Sequence, residues 1–224
     1  MGHELERAAW GKMDQPSATP APQEARTNGR RIEVRVARGI DEMMMAFAIR
    51  SAVFLAEQSC PYGEEFDGND ATATHVIGFV DDEPAATIRI RYFGTFTKME
   101  RMAIRREYRG SPVASRMLEY VVDFAKTKGY DTIVVHTQVG RERFWRLALR
   151  RFGGFRALRP EAGTISFSEH SYQPIVLDLA QKPDTIGVDT DPHVMNRPEG
   201  EWDRPGILEL GLTRMPRPSA KIRE

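Results

Sequence analysis

The stretch MERMAIRREYRGSPVASRMLEYVVDFAKTKGY, residues 99–130, decides how this chain is read. It runs as strand, tight basic turn and helix. Ser111 is a good N-cap, and Pro112 fits the first helical position, where its missing N–H would be unpaired anyway. Gly129 can close the far end in a left-handed conformation. Between these ends Val113, Met117, Tyr120, Val121, Phe124 and Ala125 recur at helical spacing, so one face is apolar and packs on a sheet. Upstream, Phe96 to Ile104 is rich in β-prone and apolar residues, and Arg105 to Gly110 is a polar turn. The first helical turn leaves the N–H groups of Val113, Ala114 and Ser115 free, and the helix dipole adds partial positive charge there. With Arg109 close by, an anionic phosphate is the natural guest, although a Ser-Pro helix start also stands without a ligand.

Working outward, Ile32, Val34 and Val36 alternate with Glu33, Arg35 and Ala37, which predicts a strand with one buried face. Asp41 caps a helix running to about Glu57, and residues 58–74 read as a loop. Strands His75 to Val80 and Ala85 to Tyr92 follow, joined by the turn Asp81-Asp82-Glu83-Pro84. Beyond the central helix, Asp131 to Val139 carries the unbroken apolar run Ile133-Val134-Val135, the pattern of a strand covered on both faces. Arg141 to Phe152 predicts a short helix stopped by Gly153-Gly154, and a last pair of strands falls at Thr164 to Phe167 and Gln173 to Leu179. The result is an α+β domain over residues 31–179: a mixed sheet of about six to seven strands with helices on both faces. Residues 1–30 read as a flexible arm. Residues 180–224, punctuated by prolines, read as an extended arm in which Trp202 and Ile207-Leu208-Glu209-Leu210 could dock on the chain's own domain or on a partner, with plain disorder as the alternative.

Composition narrows the function. Lys+Arg and Asp+Glu both number 32, so no global field argues for nucleic acid or an anionic membrane. Without a bilayer-length apolar run or a signal-peptide core, the expectation is a cytoplasmic protein. Cys60 is the single cysteine and forms no intrachain disulfide. The acidic run Asp67-Gly68-Asn69-Asp70 lacks the ligand spacing of a calcium loop, so no metal is expected.

The run Glu100-Arg101-Met102-Ala103-Ile104, then Glu107-Tyr108-Arg109-Gly110-Ser111-Pro112-Val113-Ala114, then Phe144-Trp145 and Gly153-Gly154-Phe155, resembles the GNAT acyltransferase superfamily over roughly Ile32 to Leu179. In that family a splayed strand precedes an Arg/Gln-x-x-Gly-x-Gly/Ala loop that grips the pyrophosphate of acyl-coenzyme A. Here Arg109 fills the first position and Ala114 the last, while Pro112 replaces the middle glycine and so removes one donor. The resemblance implies an N-acyltransferase using acetyl-CoA or another acyl-CoA, with an amine of a small molecule or peptide as acceptor. It assigns donor binding to Met102, Ala103, Ile104, Arg109, Gly110, Ser111, Val113, Ala114 and Ser115, with the pantetheine arm lying along Met102 and Ile104. A homodimer through the terminal arms is a further expectation.

Acyl transfer to an amine needs a base for the incoming ammonium and an acid for the departing thiolate. By the strand period of two, Glu100 shares a face with Met102 and Ile104 and is expected to act as base, with an ion pair to a nearby arginine as the alternative. Trp145 stands where the family often has its acidic tyrosine and cannot donate a proton usefully, which leaves Tyr172, Tyr108 or solvent; Tyr172 is the nominee. Acceptor recognition is expected from Arg50, Phe54, Glu65, Asp67 and His136; His136 is also a further candidate for the acid, although a histidine on such a strand is more often a hydrogen-bonded core residue. Arg50, Phe54 and Glu57 fall on one helical face at i, i+4 and i+7. A second likeness, to acyl-homoserine-lactone synthases that take acyl-carrier-protein donors, rests on Arg50, Val53-Phe54, Glu65-Phe66-Asp67, Asp70, Arg89 and Glu100-Arg101. A non-catalytic acyl-CoA sensor is the remaining alternative, favoured by Pro112 and Trp145.

Overall fold

The computed structural model describes residues 25–27, 29–153, 156–157, 164–167, 169–206 and 208–210. The N-terminal arm up to residue 24, Gly154 and Phe155 of the family-like motif, Ile207 and everything beyond Leu210 lie outside the described residues.

Six strands of seven residues or more build one mixed sheet: β2 (Arg30–Val36), β3 (Thr74–Val80), β4 (Glu83–Phe93), β5 (Phe96–Ile104), β6 (Thr132–Gln138) and β9 (His170–Asp178). Short strands extend its edges: β1 (Ala25–Thr27), β7 (Arg156–Ala157) and β8 (Ile165–Phe167). The order is β1-β2-β3-β4-β5-β6-β9-β7, with β8 beside β9, and β5–β6 is the parallel pair among antiparallel neighbours. That parallel step needs a crossover, which α3 (Val113–Thr127) supplies. Its apolar stripe Val113, Met117, Tyr120, Val121, Phe124 and Ala125 is buried against Val76, Val80, Ile88 and Ile90 of one sheet face. Helix α1 (Gly39–Arg50) covers the opposite face, where Ala46 and Ile49 meet Ile77, Phe79 and Ala103. The predicted architecture of helices on both faces of a mixed sheet is therefore the one observed.

Several local expectations change. Helix α1 passes directly into a π-helical segment, Ser51–Glu57, rather than continuing as one α-helix. The i→i+5 winding rotates the later side chains off the expected stripe, so Arg50, Phe54 and Glu57 do not share a face. The β3–β4 turn is only Asp81-Asp82, both at positive φ (52° and 72°), and Pro84 sits inside β4 opposite Phe79 at a bulge. Strand β6 is not covered on both faces: Ile133, Val135 and Thr137 are buried, while Val134 and His136 are half-buried on the other side. Helix α3 starts at Val113 with Pro112 as its cap residue, and Ser111 Oγ accepts a long 3.4 Å bond from the Val113 N–H.

The chain beyond β9 returns across the α3 side. Ile186 N–H bonds to Thr127 O at 2.8 Å, Lys128 Nζ to Glu199 at 2.7 Å, and the buried Trp202 ring stacks 5.2 Å from Phe124. The short helix α5 (Pro192–Met195), capped by Asp191, lies in this segment and buries Val194.

Candidate active site

The site is built on a break in the sheet. β5 pairs with β6 through Thr97–Ile133, Lys98–Val134 and Met99–Val135, and the ladder then stops. At the same level β5 bulges: Thr87 pairs with Ala103 and Arg89 with Glu100, so Arg101 and Met102 together stand opposite Ile88. Arg101 takes the left-handed conformation at φ 54°. One inserted residue inverts the alternation, so Glu100 faces the α1 side with Arg89, whereas Met102 and Ile104 pack against the α3 core. This corrects the expectation that Glu100 shares a face with Met102 and Ile104. It also turns Ala103 away from the donor side, buried at 1 % exposure against α1.

On the α3 side a cavity of about 380 Å³ opens along the freed β5 edge. Ile104, Arg109, Gly110, Ser111, Ala114 and Ser115 line it, together with Leu118 and, from α4 (Glu142–Leu149), Phe144 and Ala148. Six of the nine expected donor residues are thus brought together; Val113 is a core residue, and Met102 lies deeper against α3. Phe144 and Ala148 belong to the apolar side of the helix expected over Arg141 to Phe152, whereas Leu118, the i+4 neighbour of Ala114, was not singled out. The first α3 turn presents its N–H groups, that of Val113 shared with Ser111 Oγ, beside the Arg109 guanidinium, a set whose chemistry fits a phosphate. Arg109 is already engaged, however, donating to Glu57 Oε2 at 2.6 Å and through Nε to Ile104 O at 3.1 Å. Trp145 is partly buried against the core, edge-on to Phe144 at 5.3 Å.

On the α1 side, the residues of the second likeness converge on one buried ion network. Arg50 and Arg89 are both 0 % exposed. Arg50 bonds Glu65 and Asp70; Arg89 reaches Asp67 at 2.6 Å, Asp70 at 2.9 Å and Glu100 at 2.6 Å; Arg101 Nε lies 3.0 Å from Glu65. Lys98 Nζ completes Glu100 at 2.6 Å. Burial works against ionisation of Glu100, but the Lys98 hydrogen bond and the Arg89 charge outweigh it and hold the carboxyl below its ordinary range. For Asp67 the bonds from Arg89 and Asn69 win over burial in the same way. At Glu65 burial prevails and raises the pKa despite Arg50 and Arg101. Phe54 packs on the α1 core cluster beside this network rather than joining it.

His136 follows the last β5–β6 pair and faces the Lys98 and Glu100 side. Its Nδ1 is buried without a hydrogen-bond partner, and burial with the Lys98 charge keeps its pKa below 6.5. With Phe96, Lys98, Thr132 and Val134 it lines a second concavity of about 520 Å³, which no described helix covers. Tyr172, paired with Gln138 in the β6–β9 ladder, lies near Cys60, Arg101 and Glu64. Burial, then Cys60 and Glu64, raise its pKa, so the hydroxyl keeps its proton at neutral pH.

Among the described residues no helix is long and apolar enough to cross a membrane. A Bacillus subtilis (strain 168) protein named as an acetyltransferase is 30% identical over 107 residues, covering 46% of this chain and 73% of the relative. Two solved structures share the fold. One, named as an N-acetyltransferase of Lactobacillus plantarum, has a TM-score of 0.59 at 20% identity, covering 66% of this chain and 99% of the other. The second is FeeM, an N-acyl amino acid synthase from uncultured soil microbes, with a TM-score of 0.55 at 14% identity, covering 66% and 91%. The model of the acetyltransferase (GNAT) family matches residues 43–154, half of the sequence, a span that holds the bulged strand, the Arg109 loop and α4. Profile, relative and fold agree with the geometry of the splayed site, and this chain belongs to the GNAT acetyltransferase family, as an acyltransferase.

Proposed function

We propose that this protein transfers an acyl group from acyl-coenzyme A to an amine. The supporting observation is the cavity where Arg109, Gly110, Ser111, Ala114 and Ser115 meet the β5 edge left open by the end of the β5–β6 ladder. Arg109 and the first-turn N–H groups of α3 hold the donor's phosphates in this reading, and Ile104 and Met102 flank its pantetheine arm. The donor supplies the activated acyl carbonyl, and this chain's residues place it and move protons around it.

In this reading the proton-handling roles are reassigned. Glu100, ion-paired and held ionised, is a weak base at neutral pH and serves to orient Lys98 and Arg89. His136, neutral at pH 7 with a vacant Nδ1, takes the ammonium proton, while Tyr172, protonated at that pH, is the donor to the departing thiolate. The test is calorimetric titration with acetyl-CoA and a long-chain acyl-CoA, followed by thioester loss in the presence of amines. Arg109→Ala is expected to weaken donor binding by about 1.5–3 kcal/mol, the worth of a charge-assisted hydrogen bond. Unchanged affinity would refute the phosphate site.

A second reading, transfer from an acyl-carrier protein, is favoured by the convergence of Arg50, Glu65, Asp67, Asp70, Arg89, Glu100 and Arg101 in one network. Transfer from acyl-carrier protein together with inert acyl-CoA would select it.

A further inference from the structure

Among the described residues Arg109 is the one charged side chain lining the donor cavity, and it already holds an anion of the chain's own. Glu57 Oε2 accepts from its Nη2 at 2.6 Å, and Arg106 stands 3.8 Å from the same oxygen. A carboxylate oxygen at that distance takes the place that a phosphate oxygen would take on the guanidinium. The pair is open to water, with the arginine side chain 44 % and the glutamate side chain 22 % exposed. An ion pair in such a setting is weak enough for a competing anion to displace.

Glu57 itself belongs to the opposite layer. It is the last residue of the π-helical segment Ser51–Glu57, which starts beside Arg50 of the buried ion network and packs Val53 and Phe54 on the α1-side core. The segment closes with Gln58 N–H on Val53 O at 3.2 Å. Beyond it Cys60 N–H bonds Phe54 O at 2.9 Å, and the chain enters α2 (Tyr62–Glu65), which supplies Glu65 to the same network. Arg109, for its part, is fixed to the end of β5 by its Nε bond to Ile104 O. The Glu57–Arg109 bond therefore ties the end of the α1-side helix to the loop that enters α3, around the end of β5.

Building on the phosphate site of the acyl-transfer reading, we propose that Glu57 is an internal competitor for Arg109, displaced when the donor's phosphate binds, and that its displacement frees the last turn of the π-helical segment. Donor occupancy is thereby transmitted to the α1 side of the sheet. The coupling is reciprocal, so whatever holds Glu57 against Arg109 weakens the donor by the same factor. A ligand that makes no call on Arg109 is unaffected. Glu57 is a positioning residue here and takes no part in proton transfer.

The test is a chemical-shift titration of the full chain in wild type, Glu57→Ala, Arg109→Ala and the double variant. The probes are inorganic pyrophosphate, coenzyme A, and pantetheine, which has the arm of coenzyme A without its phosphates. Glu57→Ala is expected to bind pyrophosphate and coenzyme A about two- to fivefold more tightly than wild type, the fold-change equivalent to an exposed ion pair, with pantetheine unchanged. In the Arg109→Ala background the same substitution is expected to give no gain. Amide hydrogen exchange at residues 54–58 is expected to quicken about two- to fivefold when pyrophosphate saturates the wild type, and to be equally fast without it in Glu57→Ala. Absent pyrophosphate binding, equal affinity in wild type and Glu57→Ala, a gain that survives Arg109→Ala or extends to pantetheine, or unaltered exchange on saturation would each overturn the proposal. If pyrophosphate behaves as expected while coenzyme A fails to bind, the acyl-coenzyme A reading alone falls.

Discussion

Arg101 and Arg89 show how much one side chain decides in this protein. A non-glycine residue at φ 54° in a strand bulge is strained, and the strain persists because the guanidinium is tied to Glu65, Asp67 and the Glu64 carbonyl. Arg89, fully buried, compensates Asp67, Asp70 and Glu100 together. Arg89→Met leaves those acids without their shared cation and is expected to destabilise the fold by about 3–5 kcal/mol in chemical denaturation. The same pairs set a pH signature. Asp67, Asp70 and Glu100 have folded-state pKa values below their unfolded ones, so the unfolded chain binds more protons in acid. Their contribution is complete above about pH 5 and is lost as pH falls through the folded values; Glu65, shifted upward, offsets part of it. Wild-type melting temperature is expected to drop below about pH 5, and the drop should be shallower in Arg89→Met. Apart from Lys98, the residues of this network were visible in the sequence as candidates. Of their pairing the sequence offered only the Glu100–arginine ion pair, as an alternative, because charges tens of residues apart in the chain carry no mark of mutual distance.

At the scale of elements, α3 and β5 were unequally legible. The stripe of α3 follows from 3.6-residue spacing and from the Ser-Pro and Gly ends, and it is the buried stripe observed. The helix lies so close to the sheet that a β-carbon built on Gly78 would stand 2.8 Å from Val113 Cγ2 and 3.0 Å from Met117 Sδ. Gly78→Ala is therefore expected to cost about 1–3 kcal/mol by overpacking, measurable as a lowered denaturation midpoint, with Met117→Ala as a partial rescue. Strand β5 was read with the wrong faces beyond Glu100. A period of two holds only while the ladder is regular, and the residue that breaks it is an arginine, with no glycine to mark the left-handed position. The π-helical turn at Ser51–Glu57 was hidden for a like reason. Its composition suits an α-helix equally, and the winding sends Arg50 into the buried network while Glu57 meets Arg109 at the donor cavity.

For the whole molecule, the segment after β9 closes the α3 layer. Trp202 and Val194 join the main core, Gly200 at φ 78° approaches Val36 and Tyr120, and Glu199 meets Lys128, Tyr92 and Thr74. Trp202→Ala removes a buried, stacked ring and is expected to cost about 3 kcal/mol, seen first as faster amide hydrogen exchange over residues 186–203. If exchange there is unaltered, docking does not depend on this ring. Trp202 could be singled out in the sequence as an apolar group in a polar tail, but not the surface that receives it. The sequence by itself determined the elements whose signals are local: the α3 stripe and its glycine end, the strand alternation around Ile32 to Val36, and the turn that leads from Arg105 to Pro112 into α3. Tertiary structure alone decided where β5 parts from β6, which face Glu100 takes and which cations pair with which acids. Those outcomes depend on register and on charge distances across the sheet, and neither is encoded in the spacing of neighbours along the chain.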